Sequence, residues 1–287
     1  MDPILGWQSF SPPNTIFPHL RYWWDNCPVP VAPHKPGSLS PKPPISYWCS
    51  WNTFGSHIDE QKILEAVEYN RDIILIDDGW TTWGDWNAPN QAKFSRGMAN
   101  VVADLHSTGK KAGIWFAPYL ASSNSALFHT HHNWFHTNVP HFPSPCFNRR
   151  LLNCETSEVK KYIHATIKMF VEDWQVDLIK LDFLFAPYFS PGLSDDAIPH
   201  AEVSNLLSFI HNKYPRVYTI ACGVPLEAAV GRADYIRISR DSTIPAFHHV
   251  PGVNTLTRWH RRKLLQEKFK LARGYNWRGS RLDEDPL

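Results

Sequence analysis

The sequence predicts an α/β chain of the TIM-type (β/α)8 barrel class, incomplete at its C-terminal end, where the last strand and helices are missing. Short β-branched or aromatic runs alternate with longer amphipathic stretches from residue 45 onward, and a repeated β-then-α order implies a parallel sheet. Polar and charged residues recur at the carboxyl ends of those runs, at Asp77, Asp78, Asp182, Cys222 and just past a strand at Asp241. Side chains from several strand ends meeting on one face are a barrel's arrangement.

Residues 1–44 carry 11 of the 24 prolines and have no helical or strand period, so they read as an extended, surface-bound arm. The catalytic-type barrel is assigned to 45–287. ISYWCSW (45–51) opens it as a strand, followed by a helix over SHIDEQKILEAVEYN (56–70), where Ser56 and Asp59 fit a capping box and Ile63, Leu64 and Val67 form one apolar face. IILID (73–77) and KAGIWFAP (111–118) are strands with a helix over 98–109 between them. VDLIKLDF (176–183), VYTIAC (217–222) and DYIRIS (234–239) are strands as well, preceded or separated by helices over 157–174, 201–214 and about 225–231. A seventh strand is expected around Tyr275–Trp277, and an eighth is not visible.

Composition narrows the function classes. The formal charge of +2 favours neither nucleic acid nor an anionic membrane surface as partner. No stretch approaches the ~18–20 apolar residues of a membrane span, and the start MDPILGWQSF lacks the pattern of a secretory signal. Five cysteines without CxxC spacing fit neither a disulfide framework nor a zinc knuckle. A soluble cytoplasmic protein is the expectation, with a homo-oligomer left open. The histidine-rich run 129–141 lacks HExxH order and reads as a lid with incidental imidazoles. Neither GxGxxG nor a Walker GK[ST] occurs, so no cofactor and no metal are expected. The 13 tryptophans, many beside Gly, Asp or Asn, suit the rim of a sugar cleft as well as an ordinary core.

Three segments carry candidate chemistry. VDLIKLDF sets Lys180 and Asp182 two apart on a strand, with side chains on the same face; an ammonium there would keep a carboxylate ionised, as a nucleophile requires, although a structural ion pair has the same signature. In DYIRISRDST, Arg237 lies on the strand and Asp241 in the loop beyond, placed for general acid/base work or for a turn. IDDGW (76–80) ends its strand in Asp77 and Asp78, which can accept hydrogen bonds from neighbouring hydroxyls of a neutral polyol beside an indole.

Taken in order, WCSWNTFG (48–55), IDDGW with GDW (84–86), GKKAGIWFAPYLAS (109–122), DLIKLDFLFA (177–186), ACGVPLEAAVGRADYIRISRD (221–241) and a weaker RLDEDPL (281–287) make the chain resemble the α-galactosidases of glycoside hydrolase family 36, the melibiase group. The resemblance implies Asp182 as nucleophile and Asp241 as acid/base. Lys180, Arg237, Asp77 and Asp78 become contacts to sugar hydroxyls, and Trp86, Trp48 and Cys222 pocket walls. It implies an α-galactoside oligosaccharide as the partner and retaining hydrolysis of terminal α-linked galactose as the reaction. Trp134, in the lid after the third strand, is a further candidate substrate contact. Asn153 stands where similar proteins carry an acid, and Arg240 precedes Asp241 where they carry small residues or Pro. A catalytically silent sugar-binding barrel, and a related glycosidase acting on N-acetylgalactosamine, are the alternatives.

Overall fold

The computed structural model describes residues 39–137, 139, 149–193, 197–237 and 278–283. Nine strands fall in chain order: β1 (Tyr47–Cys49), β2 (Ile73–Ile76), β3 (Lys111–Phe116), β4 (Leu120–Ser122), β5 (Arg149–Leu151), β6 (Leu178–Leu181), β7 (Tyr218–Cys222), β8 (Tyr235–Arg237) and β9 (Arg281–Asp283). Seven form one parallel sheet, in the order β1-β2-β3-β6-β7-β8-β9, and β4 and β5 pair antiparallel outside it. This is an incomplete TIM-type barrel, and all six strands read from the sequence are in it. A seventh strand of the sheet lies at Arg281–Asp283, and the one expected around Tyr275–Trp277 falls outside the described residues.

The strands are apolar on both faces because both faces are covered. One set of alternate residues, Tyr47, Cys49, Ile73, Leu75, Leu178, Tyr218, Ile220, Cys222 and Tyr235, packs together as an inner core. Register aligns them in rows, with Cys49 against Leu75 and Ile220 against Tyr235. Gly113 completes one row, since a Cβ there would stand 3.0 Å from side-chain atoms of both Leu75 and Leu178. The other set faces the helices. In Met98–Ser107 the buried residues are Met98, Val101, Val102 and Leu105, and in Ser157–Lys168 they are Val159, Ile163, Thr166 and Ile167, the spacing that lays one helical stripe on the sheet. Glu60–Glu65 is capped by Asp59, which accepts from the Lys62 N–H at 3.0 Å. Ser56 is not the cap, because the helix begins only at Glu60; its carbonyl lies instead under Gly79, where a Cβ would meet it at 2.4 Å.

Curvature brings the two outermost strands within side-chain reach. Tyr47 on β1 donates to Asp283 on β9 at 2.7 Å; Arg237 on β8 donates to Asp283 at 2.8 Å and to the Tyr47 hydroxyl at 2.9 Å. All three are buried. At the opposite end of the strands, residues 39–45 cross the floor: Lys42 pairs with Asp234 at 2.8 Å, and the Ile45 N–H donates to the Tyr235 hydroxyl at 3.0 Å.

Candidate active site

The carboxyl ends of β2 and β6 carry three of the predicted acids. Asp77 is enclosed, 2% exposed, and its carboxylate is fully used: Oδ2 takes the Lys180 ammonium at 2.7 Å and the Cys49 thiol at 3.2 Å, while Oδ1 takes the Asp78 N–H at 2.9 Å. The Asp77 N–H donates to the Ser50 hydroxyl at 2.8 Å, which fixes the turn from the other side. Burial opposes a charge on Lys180, yet the Asp77 carboxylate holds its proton well above the ordinary lysine range. Lys180 therefore serves Asp77, not Asp182, which corrects the pairing expected from KxD. Two residues apart on a strand share a face, but the long lysine stem reaches past β3 to β2 while the chain turns away after Asp182.

That turn is made by Phe183, one of the few non-glycine residues with positive φ, at 53°. It aims the Phe183 N–H at Asp182 Oδ1, 2.8 Å away, and the Trp115 indole N–H donates to Oδ2 at 3.0 Å. Each oxygen of Asp182 thus has one neutral donor and, among the described residues, no cation bonded to it, and the side chain keeps partial access to solvent. Two donors so placed fix the orientation of this carboxylate at the strand end.

Asp78 is held in the same manner. The Trp83 indole N–H donates to Oδ1 at 2.7 Å, and the Arg149 guanidinium on β5 lies 4.0 Å from the centre of the Trp83 ring. Burial, together with repulsion from Asp77, pushes the Asp78 carboxyl up to about 6, against the opposing pull of the Trp83 N–H, of Arg149 and of the Gly79 N–H. Trp83 went unread in the sequence. It sits in TTWGDW, a loop without periodicity, where nothing separates it from the neighbouring Trp86.

The other predicted positions divide. Arg237 and Cys222 stand side by side in register at the same strand ends; burial pushes the Cys222 thiol well above its ordinary range, and Arg237 is occupied by Asp283 and Tyr47. Trp48 is corrected: it faces outward, stacked on Tyr69 at 5.3 Å and packed against Phe54, while its neighbour Cys49 belongs to the inner core. Trp86 is also corrected: it is wholly buried against Phe116, Trp80 and Trp115, and supports Trp115 from behind. Trp134 lies on the lid, stacked on His131 at 4.1 Å and tilted over Tyr162. Asn153 caps a turn by accepting from the Glu155 N–H at 3.1 Å. Asp241 lies outside the described residues.

His131 and His132 serve as aromatic packing units against Trp134 and Phe128. No group of three or more His, Cys, Asp or Glu side chains among the described residues could hold a metal ion, and no described helix is long and apolar enough to cross a membrane. A groove lined by Asp59, Glu60, Lys93 and Arg96 lies on the helix side. There Arg96 pairs with Glu60, the arrangement of a solvated helix surface, and none of the strand-end carboxylates takes part.

Known proteins share this frame. An α-galactosidase from Thermus thermophilus, solved with p-nitrophenyl α-D-galactopyranoside, superposes with a TM-score of 0.61 at 26% identity, covering 88% of this chain and 60% of that one. A Lactobacillus brevis α-galactosidase shares the fold with a TM-score of 0.62 at 23% identity, over 80% of this chain and 32% of that one. In sequence, a bifunctional α-galactosidase/sucrose kinase of Mediterraneibacter gnavus is 25% identical over 168 residues, and a probable α-galactosidase C of Aspergillus terreus 26% over 197. These alignments cover 55% and 60% of this chain but 18% and 26% of the relatives, so the chain spans about a fifth to a quarter of their length. The Melibiase family model matches residues 43–223, more than half of the sequence, and with the strand-end carboxylates in the order that resemblance requires, the chain belongs to the melibiase family.

Proposed function

We propose that this chain is the catalytic barrel of a retaining α-galactosidase that removes terminal α-linked galactose from oligosaccharides. The observation that carries this reading is Asp182: a partly open strand-end carboxylate held by two neutral donors, with Asp78 tied to the same aromatic cluster. In the first step Asp241 gives its proton to the glycosidic oxygen as Asp182 bonds to C1, which breaks the C1–O bond and leaves a glycosyl ester. In the second, Asp241 takes a proton from water, whose oxygen bonds to C1 and releases the Asp182 carboxylate. Asp78 accepts from a galactose hydroxyl, and Lys180 and Asp77 form the charged backing of the site. The buried thiols of Cys49, Cys154 and Cys222, none of them in a disulfide among the described residues, support a reducing, cytoplasmic setting.

The test is release of nitrophenol from p-nitrophenyl α-D-galactopyranoside. The expected result is turnover by the wild-type chain and a loss of ~10³-fold or more in Asp182→Ala, with folding unchanged. Unimpaired turnover by that variant would end the assignment.

A further inference from the structure

We infer that Trp83 is a positioning residue that fixes the carboxylates of Asp78 and Asp182 in one rigid arrangement, so that sugar binding and nucleophile orientation depend on the same indole. The inference rests on the galactosidase reading for its kinetic consequences and on the coordinates alone for its geometry.

Trp83 bonds one of the two acids and packs against both residues that donate to the other. Its N–H is the donor to Asp78 Oδ1. Its ring lies 4.9 Å from the ring of Trp115, which bonds Asp182 Oδ2, and 5.2 Å from that of Phe183, whose N–H bonds Asp182 Oδ1. Arg149 caps the free face of the indole. The backbone around Trp83 is equally constrained. Its carbonyl accepts from the Ser122 N–H at 2.7 Å, and Gly84 (φ +103°) lies so close to β4 that a Cβ would meet that of Ala121 at 2.6 Å. The loop cannot slide along the hairpin without breaking both contacts. Asp85, two residues on, accepts from the N–H groups of Ala126 and Leu127, at 2.9 Å each, so the same loop also sets the start of the lid segment.

The neighbouring Trp80 gives its N–H to a backbone carbonyl, that of Trp115. Trp83 spends its donor on a carboxylate that titrates. Asp78 is faced by Asp77 from its own strand end, by Arg149 from β5 and, behind Asp77, by Lys180 from β6; the Trp83 N–H and Arg149 favour the ionised form. Removing the N–H then raises the pH at which Asp78 ionises.

The experiment uses the full chain and two readouts. In the Trp83→Phe variant, which keeps an aromatic ring but loses the donor, KM for p-nitrophenyl α-D-galactopyranoside rises about tenfold and the acid limb of kcat/KM moves to higher pH. In Trp83→Leu, which removes the ring as well, kcat also falls at least tenfold. Independently of turnover, the Trp83 indole N–H resonance, assigned by its absence from Trp83→Phe, shifts with a midpoint near pH 6, and that titration disappears in Asp78→Asn. An indole signal that does not move between pH 4.5 and 7.5, or that titrates unchanged in Asp78→Asn, overturns the inference. If the resonance titrates as expected but no variant, wild type included, turns over the galactoside, the galactosidase reading fails and the positioning role stands.

Discussion

Among the described residues, Asp77, Asp78, Asp182 and Asp283 stand at the carboxyl ends of these strands, and the molecule holds them in two ways. At the seam between β1 and β9, Asp283 is bound by the Arg237 guanidinium, and at the base of the rim Asp77 is bound by the Lys180 ammonium. On the open side of the rim, Asp182 and Asp78 are each bound by an indole N–H. The cation-bound pair is about 2–3% exposed, and its charge is spent on neutralising a partner. The indole-bound pair is oriented chiefly by neutral N–H donors. An ion pair makes a buried acid tolerable and inert, whereas neutral donors orient a carboxyl without tying it to a buried cation.

The largest effect should come from breaking one of the neutralised pairs. Lys180→Met leaves Asp77 buried with only a thiol and one N–H as donors, and a stranded buried charge costs about 3–5 kcal/mol. Denaturant unfolding of the variant at pH 7 checks this. The double variant Lys180→Met/Asp77→Leu should recover part of the loss, because no charge then remains buried. A loss below ~1 kcal/mol in the single variant would mean that the pair behaves like an exposed one, and the contrast between the two kinds of carboxylate would collapse.

A smaller effect, on rate rather than stability, is expected at the indole-bound pair. Trp115→Phe keeps a ring against Trp83, Trp86 and Phe183 but deletes the donor to Asp182 Oδ2. A hydrogen bond to a charged group is worth roughly 1.5–3 kcal/mol, so kcat toward an aryl α-galactoside should fall about ten- to a hundredfold with little change in KM. Unaltered kcat would assign the orientation of Asp182 to the Phe183 N–H alone.

The contrast also marks what the sequence could convey. The six strands were legible because most of their residues are buried on both faces and so appear as short, mainly apolar runs, and the helices because Val101, Val102 and Leu105 or Val159 and Ile163 recur at helical spacing. The acids were legible as strand-end residues. Their partners were not. In YWC both faces of β1 carry large side chains, so nothing in composition says that Trp48 faces out and Cys49 in; only the register with β2 decides it. Lys180 was assigned to its neighbour in sequence because strand periodicity orders residues along one strand, while a four-carbon stem crosses to another. Trp83 and Trp86 lie three apart in an aperiodic loop, and their opposite fates are set by the clamp of Gly84 and Trp83 onto β4, a contact between segments far apart in the chain.

The smallest predicted effect runs in the opposite direction, toward stability. The folded protein holds the Asp78 carboxyl at about 6, above the ordinary value of 3.8, so the fold favours the protonated form. That favourable contribution is complete below about pH 3.8 and is lost as pH rises through about 6. At pH 7.5 the wild type therefore bears the cost of an ionised, largely enclosed carboxylate, and Asp78→Asn, which keeps an acceptor for the Trp83 N–H, should be more stable by on the order of 1–3 kcal/mol. Near pH 4 the two proteins should differ little. Thermal unfolding of both across pH 4–8 gives the curve, and galactose affinity measured alongside should fall in the more stable variant, since the charge that burdens the fold is the one offered to a sugar hydroxyl. Equal stability at all pH values would place Asp78 in open solvent and remove it from the rim.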